Sequence, residues 1–272
     1  MRRMRKTLPV VAAGAILLGT SSYALAVLIG GLDVPNGPIF SVSQVYENVP
    51  TTVGDTLTGY GKVDSINASA VGSLCTNCEL TYQFGGYTVT SISATEITFS
   101  GGWYKFYLGF GADNDFTTGN AGGSAGDLVE ATNGTLFLSL MGHAADSAGN
   151  TLIWTGTNIG TVTPTGFGTG LADVDTAGGG VANPFFDTNS IVALFGGPAD
   201  FEIGSSFSAL HPVYPGECPG GPACLRGSAD FTGFVTDVTA PPVPEPATIA
   251  LVAVALLAFC ARRRQFQLRQ RV

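Results

Sequence analysis

The sequence predicts an all-β fold: a two-sheet antiparallel sandwich or jelly roll with glycine-rich loops, flanked by an N-terminal signal peptide and a single C-terminal membrane helix. Three observations carry that expectation. Short runs alternate apolar and polar residues with a period of two, the pattern of half-buried strands. Glycine, 38 of 272 residues, punctuates those runs. The cations are concentrated at the two ends of the chain, each time beside an apolar stretch.

The N-terminal end opens with four cations in six positions, Met1-Arg2-Arg3-Met4-Arg5-Lys6. A twelve-residue apolar run, Leu8 to Gly19, follows, and then small residues at Ala24 and Ala26. Charged head, apolar middle and A-x-A exit are the three parts of a secretory signal peptide, with cleavage expected after Ala26. Twelve residues of helix reach about 18 Å, too short for an independent span. Residues 1–26 are therefore assigned to the signal and 27–238 to a β-sandwich body.

Within the body, Leu80, Tyr82 and Phe84 fall on one face of Glu79–Phe84, and Gly85-Gly86 leads into Tyr87–Ile92. Glu96–Ser100, Gly101-Gly102 and Trp103–Leu108 repeat the arrangement. Each Gly-Gly pair is expected to turn a hairpin, because glycine accepts the positive φ of the primed turns. Further strands are expected at Phe40–Tyr46, Thr135–Leu140, Thr151–Trp154, Ser190–Phe195, Phe201–Phe207 and Phe231–Val238. No window of the body sustains a 3.6-residue apolar stripe, and many short strands divided by turn signals point to stacked sheets. Gly197-Pro198-Ala199-Asp200-Phe201 and Gly227-Ser228-Ala229-Asp230-Phe231 echo one another as strand openings.

Charge sets the partners. Of the cations, only Lys62, Lys105 and Arg226 lie in the body, against nineteen acids, a balance of about −16. Such a body repels nucleic acid and anionic membrane surfaces.

Cysteines come in two local pairs, Cys75 with Cys78 and Cys218 with Cys224. In an exported protein an even count reads as two disulfides, with three possible connectivities. The local pairing is favoured because each pair closes a small loop at little entropic cost. A redox CxxC needs a strand–helix setting that is not apparent, and a four-thiolate zinc site needs both pairs to meet.

No catalytic constellation emerges, and the chain is read as a non-enzyme. His143 lies near Asp146, but no serine occupies a nucleophile elbow, and His211 precedes Pro212 in a proline-rich loop. No cofactor is expected, with calcium held open. Asp113-Asn114-Asp115 and Asp173-Val174-Asp175 offer clustered hard oxygens, of which Asp173 and Asp175 are the better ligands, while a plain Asx-turn explains each nearly as well. Trp103, Tyr104, Tyr107 and Trp154 could stack on sugars, although filling the core is the commoner use of such rings.

The C-terminal end begins with a stiff linker, residues 239–246, that contains Val243-Pro244-Glu245-Pro246. Fifteen apolar residues follow, Ala247–Ala261, and then Arg262-Arg263-Arg264 in the basic tail 262–272. The run reaches about 22 Å and spans a bilayer with the help of thinning and arginine snorkelling. Five arginines lie on its C-terminal side, so the positive-inside rule keeps the tail in the cytoplasm and the body outside.

Proline-Glu-Pro motif, short hydrophobic helix and basic tail, in that order and paired with a signal peptide, resemble the PEP-CTERM sorting signal. That resemblance implies processing by an exosortase, a membrane cysteine protease cutting at or near Pro244-Glu245-Pro246, and delivery by the secretion machinery. Asn133–Leu140, Leu171–Asp175 with Gly178-Gly179-Gly180, Phe186–Asn189 and the Gly-x-Ala-Asp-Phe segments are loosely similar to PEP-CTERM proteins associated with flocculation and matrix. The expected function is that of an exported surface or extracellular matrix (biofilm or flocculation) structural protein. On this reading the protein is first anchored in the inner membrane, then released to the cell surface or matrix, with exopolysaccharide as a possible partner. A carbohydrate-binding module, calcium-assisted or not, is the alternative, and an exported hydrolase comes third.

Overall fold

The computed structural model describes residues 26–117, 123–208 and 224–238. Its first two strands, β1 (Ala26–Ile29) and β2 (Leu32–Pro35), form a small hairpin. The long strands β3 (Gly37–Asn48) and β4 (Thr56–Ile66) follow. A short β5 (Ser69–Ala70) and one-turn α1 (Val71–Leu74) lead into β6 (Cys78–Ile92) and β7 (Glu96–Phe110), each of 15 residues. Helix α2 (Gly123–Thr132) precedes β8 (Thr135–His143), β9 (Leu152–Thr157) and β10 (Thr165–Val174). The one-turn α3 (Asn183–Phe186), β11 (Phe201–Ser208) and β12 (Cys224–Val235) complete the order.

All pairings are antiparallel, and the main sheet closes on itself through β11-β12-β3-β4-β6-β7-β8-β10, because β11 pairs with both β12 and β10. The result is an eight-stranded antiparallel barrel in place of the expected sandwich or jelly roll. One barrel position is filled twice. β8 pairs with Trp103–Leu108 of β7, β9 continues along Glu96–Phe99, and β10 holds both. The excursion between them is pinned by Asp146, whose Oδ1 accepts from the amides of Ala148 (2.9 Å) and Asn150 (3.0 Å).

An eight-stranded barrel has an interior just wide enough for side chains to fill. Here Tyr82, Phe84, Tyr104, Phe106 and Phe231 meet inside it with ring centroids 5.0–6.4 Å apart. Gly59 and Gly61 of β4 face those rings, and any Cβ there would overlap Phe84 and Tyr82 respectively. The polar groups that share the interior are tied to backbone: Ser43 Oγ donates to Ala229 O (2.6 Å) and Tyr82 OH to Gln44 O (2.7 Å). A residual cavity of about 30 Å³ is lined by apolar groups including Val34, Ile39, Leu80 and Phe186.

The Gly-Gly pairs do not turn hairpins. They lie opposite one another in the middle of β6 and β7, with Gly85 across from Trp103 and Gly101 across from Tyr87. The positive φ was expected and is present at Gly86 (+73°), Gly101 (+73°) and Gly102 (+89°). What it produces is a kink in both strands, past which the buried face of β6 passes from Leu80, Tyr82 and Phe84 to Tyr87 and Val89. The true turn is Ser93–Thr95, where Ser93 Oγ accepts from the Glu96 amide (3.0 Å).

Ser190–Phe195 is a loop with a single bridge, Ile191 to Ala199. A closed barrel offers it no edge. β12 begins seven residues earlier than the expected Phe231 and ends at Val235, while β4, β10 and the β1–β2 hairpin were not foreseen. β1 opens at Ala26, so cleavage after that residue would leave Val27–Ile29 of the strand.

The two barrel ends differ. At the lower end gather the β1–β2 hairpin, α1, α3 and the exit of β12. The upper end carries the turns at 49–55, 93–95 and 158–164. Leu32 and Val34 (both 0% exposed) make the hairpin a lower plug. Helix α2 covers the outer wall at Tyr46, Tyr60 and Phe116, a satellite core separate from the interior.

Candidate functional site

Cys75 and Cys78 form a disulfide at the lower end, between α1 and β6, with Cα atoms 5.9 Å apart. Cys224 opens β12 opposite Asn48, at the upper end. Cys218 lies outside the described residues. Cys224 thus stands at the end of the barrel opposite Cys75 and Cys78.

Asp173 and Asp175 are not brought to a common ligand set. Asp173 Oδ2 meets His143 Nδ1 at 2.8 Å, whereas Asp175 Oδ1 accepts from the amides of Ala177 (3.1 Å) and Gly178 (2.8 Å), an Asx-turn. In Asp113-Asn114-Asp115, Asp115 Oδ1 accepts from Asn133 Nδ2 (3.0 Å) and Asn114 Nδ2 donates to Asn77 Oδ1 (3.1 Å). Among the described residues no group of three His, Cys, Asp or Glu side chains is placed to share a metal ion.

His143 is 6% exposed and faces acceptors on both sides: Asp173 at Nδ1, and the carbonyls of Phe195 (3.0 Å) and Gly197 (3.1 Å) at Nε2. Only the imidazolium supplies a proton to each. Burial presses the His143 pKa down, but the hydrogen bond and charge of Asp173 and the two carbonyls outweigh it and leave the group above its ordinary value. Gly196 is required here, since a Cβ would stand 2.7 Å from Nε2. The expected neighbour Asp146 is committed to its own loop. His211 lies outside the described residues.

The four aromatics divide between two surfaces. Trp154 (2%) and Tyr104 (5%) are core residues. Trp103 and Tyr107 are half-buried on the outer face of β7, with Lys105 between them and its Nζ 5.6 Å from the Trp103 ring centroid. The Trp103 ring lies against the Gly85-Gly86 backbone, close to where their side chains would be.

Three carboxylates escaped the sequence reading as sites. Glu79, 1% exposed, accepts from Lys62 Nζ (2.7 Å) and from the amides of Asp115 and Phe116 (3.1 Å each). Asp200, 2% exposed, takes the amides of Val174 (2.8 Å), Thr188 (2.7 Å) and Asn189 (2.6 Å). Glu47, 4% exposed, points into the barrel with Oε1 unpartnered, and burial raises its pKa to about 8. The signal for Glu47 was available: Ile39, Ser41, Ser43, Val45 and Glu47 alternate with the exposed Phe40 and Gln44.

The last described residues leave from the lower end, where the Thr236 amide donates to Phe185 O (2.9 Å). Beyond Val238, residues 242–264 match the PEP-CTERM protein-sorting motif. The chain carries a PEP-CTERM sorting signal. Val243, Pro244, Glu245, Pro246, Arg262, Arg263 and Arg264 all fall within that match and outside the described residues, as does Ala24 outside them at the other end. The PEP-CTERM motif implies export, a membrane-anchored C-terminus before cleavage, and processing by an exosortase. Among the described residues no helix is long and apolar enough to cross a membrane. No curated protein and no solved structure matches the chain.

Proposed function

We propose that this protein is a non-enzymatic structural component of the cell surface or extracellular matrix, exported, anchored through Ala247–Ala261, and released by an exosortase at Val243-Pro244-Glu245-Pro246. The observation that supports the reading is the pairing of that sorting signal with a barrel whose interior is occupied by its own aromatic side chains. Such a body supplies durable bulk outside the cell, and its acidic surface favours solubility there. Intact-mass measurement on protein from its native host tests the sorting. Loss of the segment from Arg262 onward is the expected result, and a product still carrying Arg262–Val272 refutes exosortase processing. For the matrix role, deletion of the gene is expected to reduce cell aggregation or matrix mass; unchanged aggregation counts against it.

A carbohydrate-binding role is the second reading, favoured by Trp103 and Tyr107 on one outer face of β7. It predicts retention on exopolysaccharide from the host that Trp103→Ala weakens. Calcium assistance through Asp173 and Asp175 predicts that a chelator weakens it too. Retention unaffected by Trp103→Ala removes this reading.

A further inference from the structure

The β1–β2 hairpin is held in the lower mouth of the barrel without any polar attachment to it. It forms a two-stranded sheet of its own, paired with no strand of the main sheet. Among the described residues no hydrogen bond or ion pair joins residues 26–36 to the rest of the body. Four buried side chains, Val27, Ile29, Leu32 and Val34, attach it instead. A two-stranded hairpin alone is marginal in water, so this one keeps its place through apolar burial.

Its two ends suit it to move as a unit. The root is Asn36-Gly37, where Gly37 has φ +101° and open space around the position of a Cβ. The tip, Gly30-Gly31, has positive φ at both residues, as a two-residue hairpin turn requires. That tip rests on side chains: a Cβ on Gly30 would stand 3.0 Å from Val181 Cγ2, and one on Gly31 2.9 Å from the Phe110 ring. The hairpin thus crosses the mouth from β3 to the end of β7, hinged at one side and only leaning at the other.

What it covers is an apolar socket. Val34 forms one wall of the residual cavity of about 30 Å³, and Ile39, Leu80, Phe106, Phe137 and Phe201 are among the others. The one polar side chain in that lining is Ser41, whose Oγ donates to Phe231 O (3.4 Å). With the hairpin swung out, the socket gains the space of four aliphatic side chains, the apolar matter of a chain of about fourteen carbons. The rim selects the head of such a chain. Asp33, Asp113 and Asp187 are exposed around this end, while the three cations of the body lie within β4, β7 and β12. An anionic head is repelled there and an uncharged one is not.

We propose that the lower mouth is a binding site for a single long aliphatic chain with an uncharged head, which enters by displacing the β1–β2 hairpin about Asn36-Gly37. The aromatic cluster deeper in the barrel forms the floor of the site, and the hairpin closes it when it is empty.

The test photolyses the full chain in detergent with a diazirine-bearing hexadecanol and maps the labelled residues by mass spectrometry. Label on Leu80, Phe106, Phe137 or Phe201, competed away by plain hexadecanol, is the expected result. Label confined to outward residues such as Phe167 and Val162, or to Ala247–Ala261, overturns the proposal. The corresponding diazirine hexadecanoate is expected to label the socket about threefold less, and equal labelling refutes the selection by the rim. Leu32→Asp places a charge where no donor reaches it and so expels the hairpin. Labelling of the socket is then expected to rise about fivefold with the β-sheet circular dichroism of the parent retained. No rise in a folded variant means that the hairpin does not gate the mouth, which also overturns the proposal. If that variant does not fold, amide exchange in the parent decides. The amides of Val27–Val34 are expected to exchange about tenfold faster than those of Leu80–Phe84, and equal protection rules the hinge out.

Discussion

Glu79 and Glu47 are both almost wholly removed from water, one on the outer wall of the barrel and one inside it, and they meet opposite fates. The outer site under α2 brings a lysine and two backbone amides to Glu79, whose carboxyl oxygens thereby organise the loop at 111–117. The inner site brings Glu47 no such donor to Oε1, and burial leaves its carboxyl protonated up to about pH 8. All three cations of the body are occupied on the outside: Lys62 with Glu79, Lys105 over Trp103, and Arg226 over Tyr46. Burial alone therefore does not determine what a carboxyl does. The side of the sheet on which it falls determines which donors can reach it.

Removing the inner acid should help and removing the outer one should hurt, and the inner effect is the larger. Glu47 has a folded-state pKa raised above its unfolded value, so the stability it contributes is whole below about pH 4.5 and is lost as pH rises to about 8. Glu47→Gln should be more stable than the parent by roughly 4 kcal/mol at pH 8 and nearly equal to it at pH 4, measured by denaturant unfolding at both. Equal stability at pH 8 would mean that the carboxyl has found a partner. Glu79→Ala, by contrast, leaves two amides and a lysine without their acceptor and should cost about 3 kcal/mol near neutral pH. If it unfolds no more easily than the parent, the outer site is not organised by this charge.

His143 lies between these extremes, a titratable group satisfied only in its charged form. Its raised pKa means that its contribution is whole below about pH 6.5 and fades as pH climbs through the folded value. His143→Gln should cost about 1 kcal/mol at pH 5.5 and less at pH 8.5. Amide exchange at Phe195–Gly197 should speed up in the parent over the same rise in pH. A pH-independent difference would show that the ring is held by packing. The Cys75–Cys78 pair closes so short a loop that its reduction should cost no more than about 2 kcal/mol, measured by denaturant unfolding with and without reductant.

Period-two alternation located most of the strands, among them Phe40–Tyr46 in β3 and Thr135–Leu140 in β8, because a half-buried strand must alternate wherever it pairs. The same rule misled at Gly85-Gly86 and Gly101-Gly102. Positive φ was the right inference, but a kink inside two long paired strands requires it as much as a tight turn does. Ser190–Phe195 has the composition of a strand and lacks a neighbour to pair with, which no local pattern reveals. At the candidate sites, the CxxC pairing could be read because its partners are close along the chain. The partnership of His143 with Phe195 and Gly197 could not, since it joins positions 52 and 54 residues apart.

The sequence by itself determined a β-rich body, the local cysteine pair and the ordered sorting signal at residues 242–264, each written in residues adjacent along the chain. Only the tertiary structure decided that the sheet closes, through the pairing of β11 with β10 as well as β12. Closure depends on the summed twist and stagger of eight strands, a property of no single segment. It fixes which face of each strand is interior, and so which donors can reach each of the many acids.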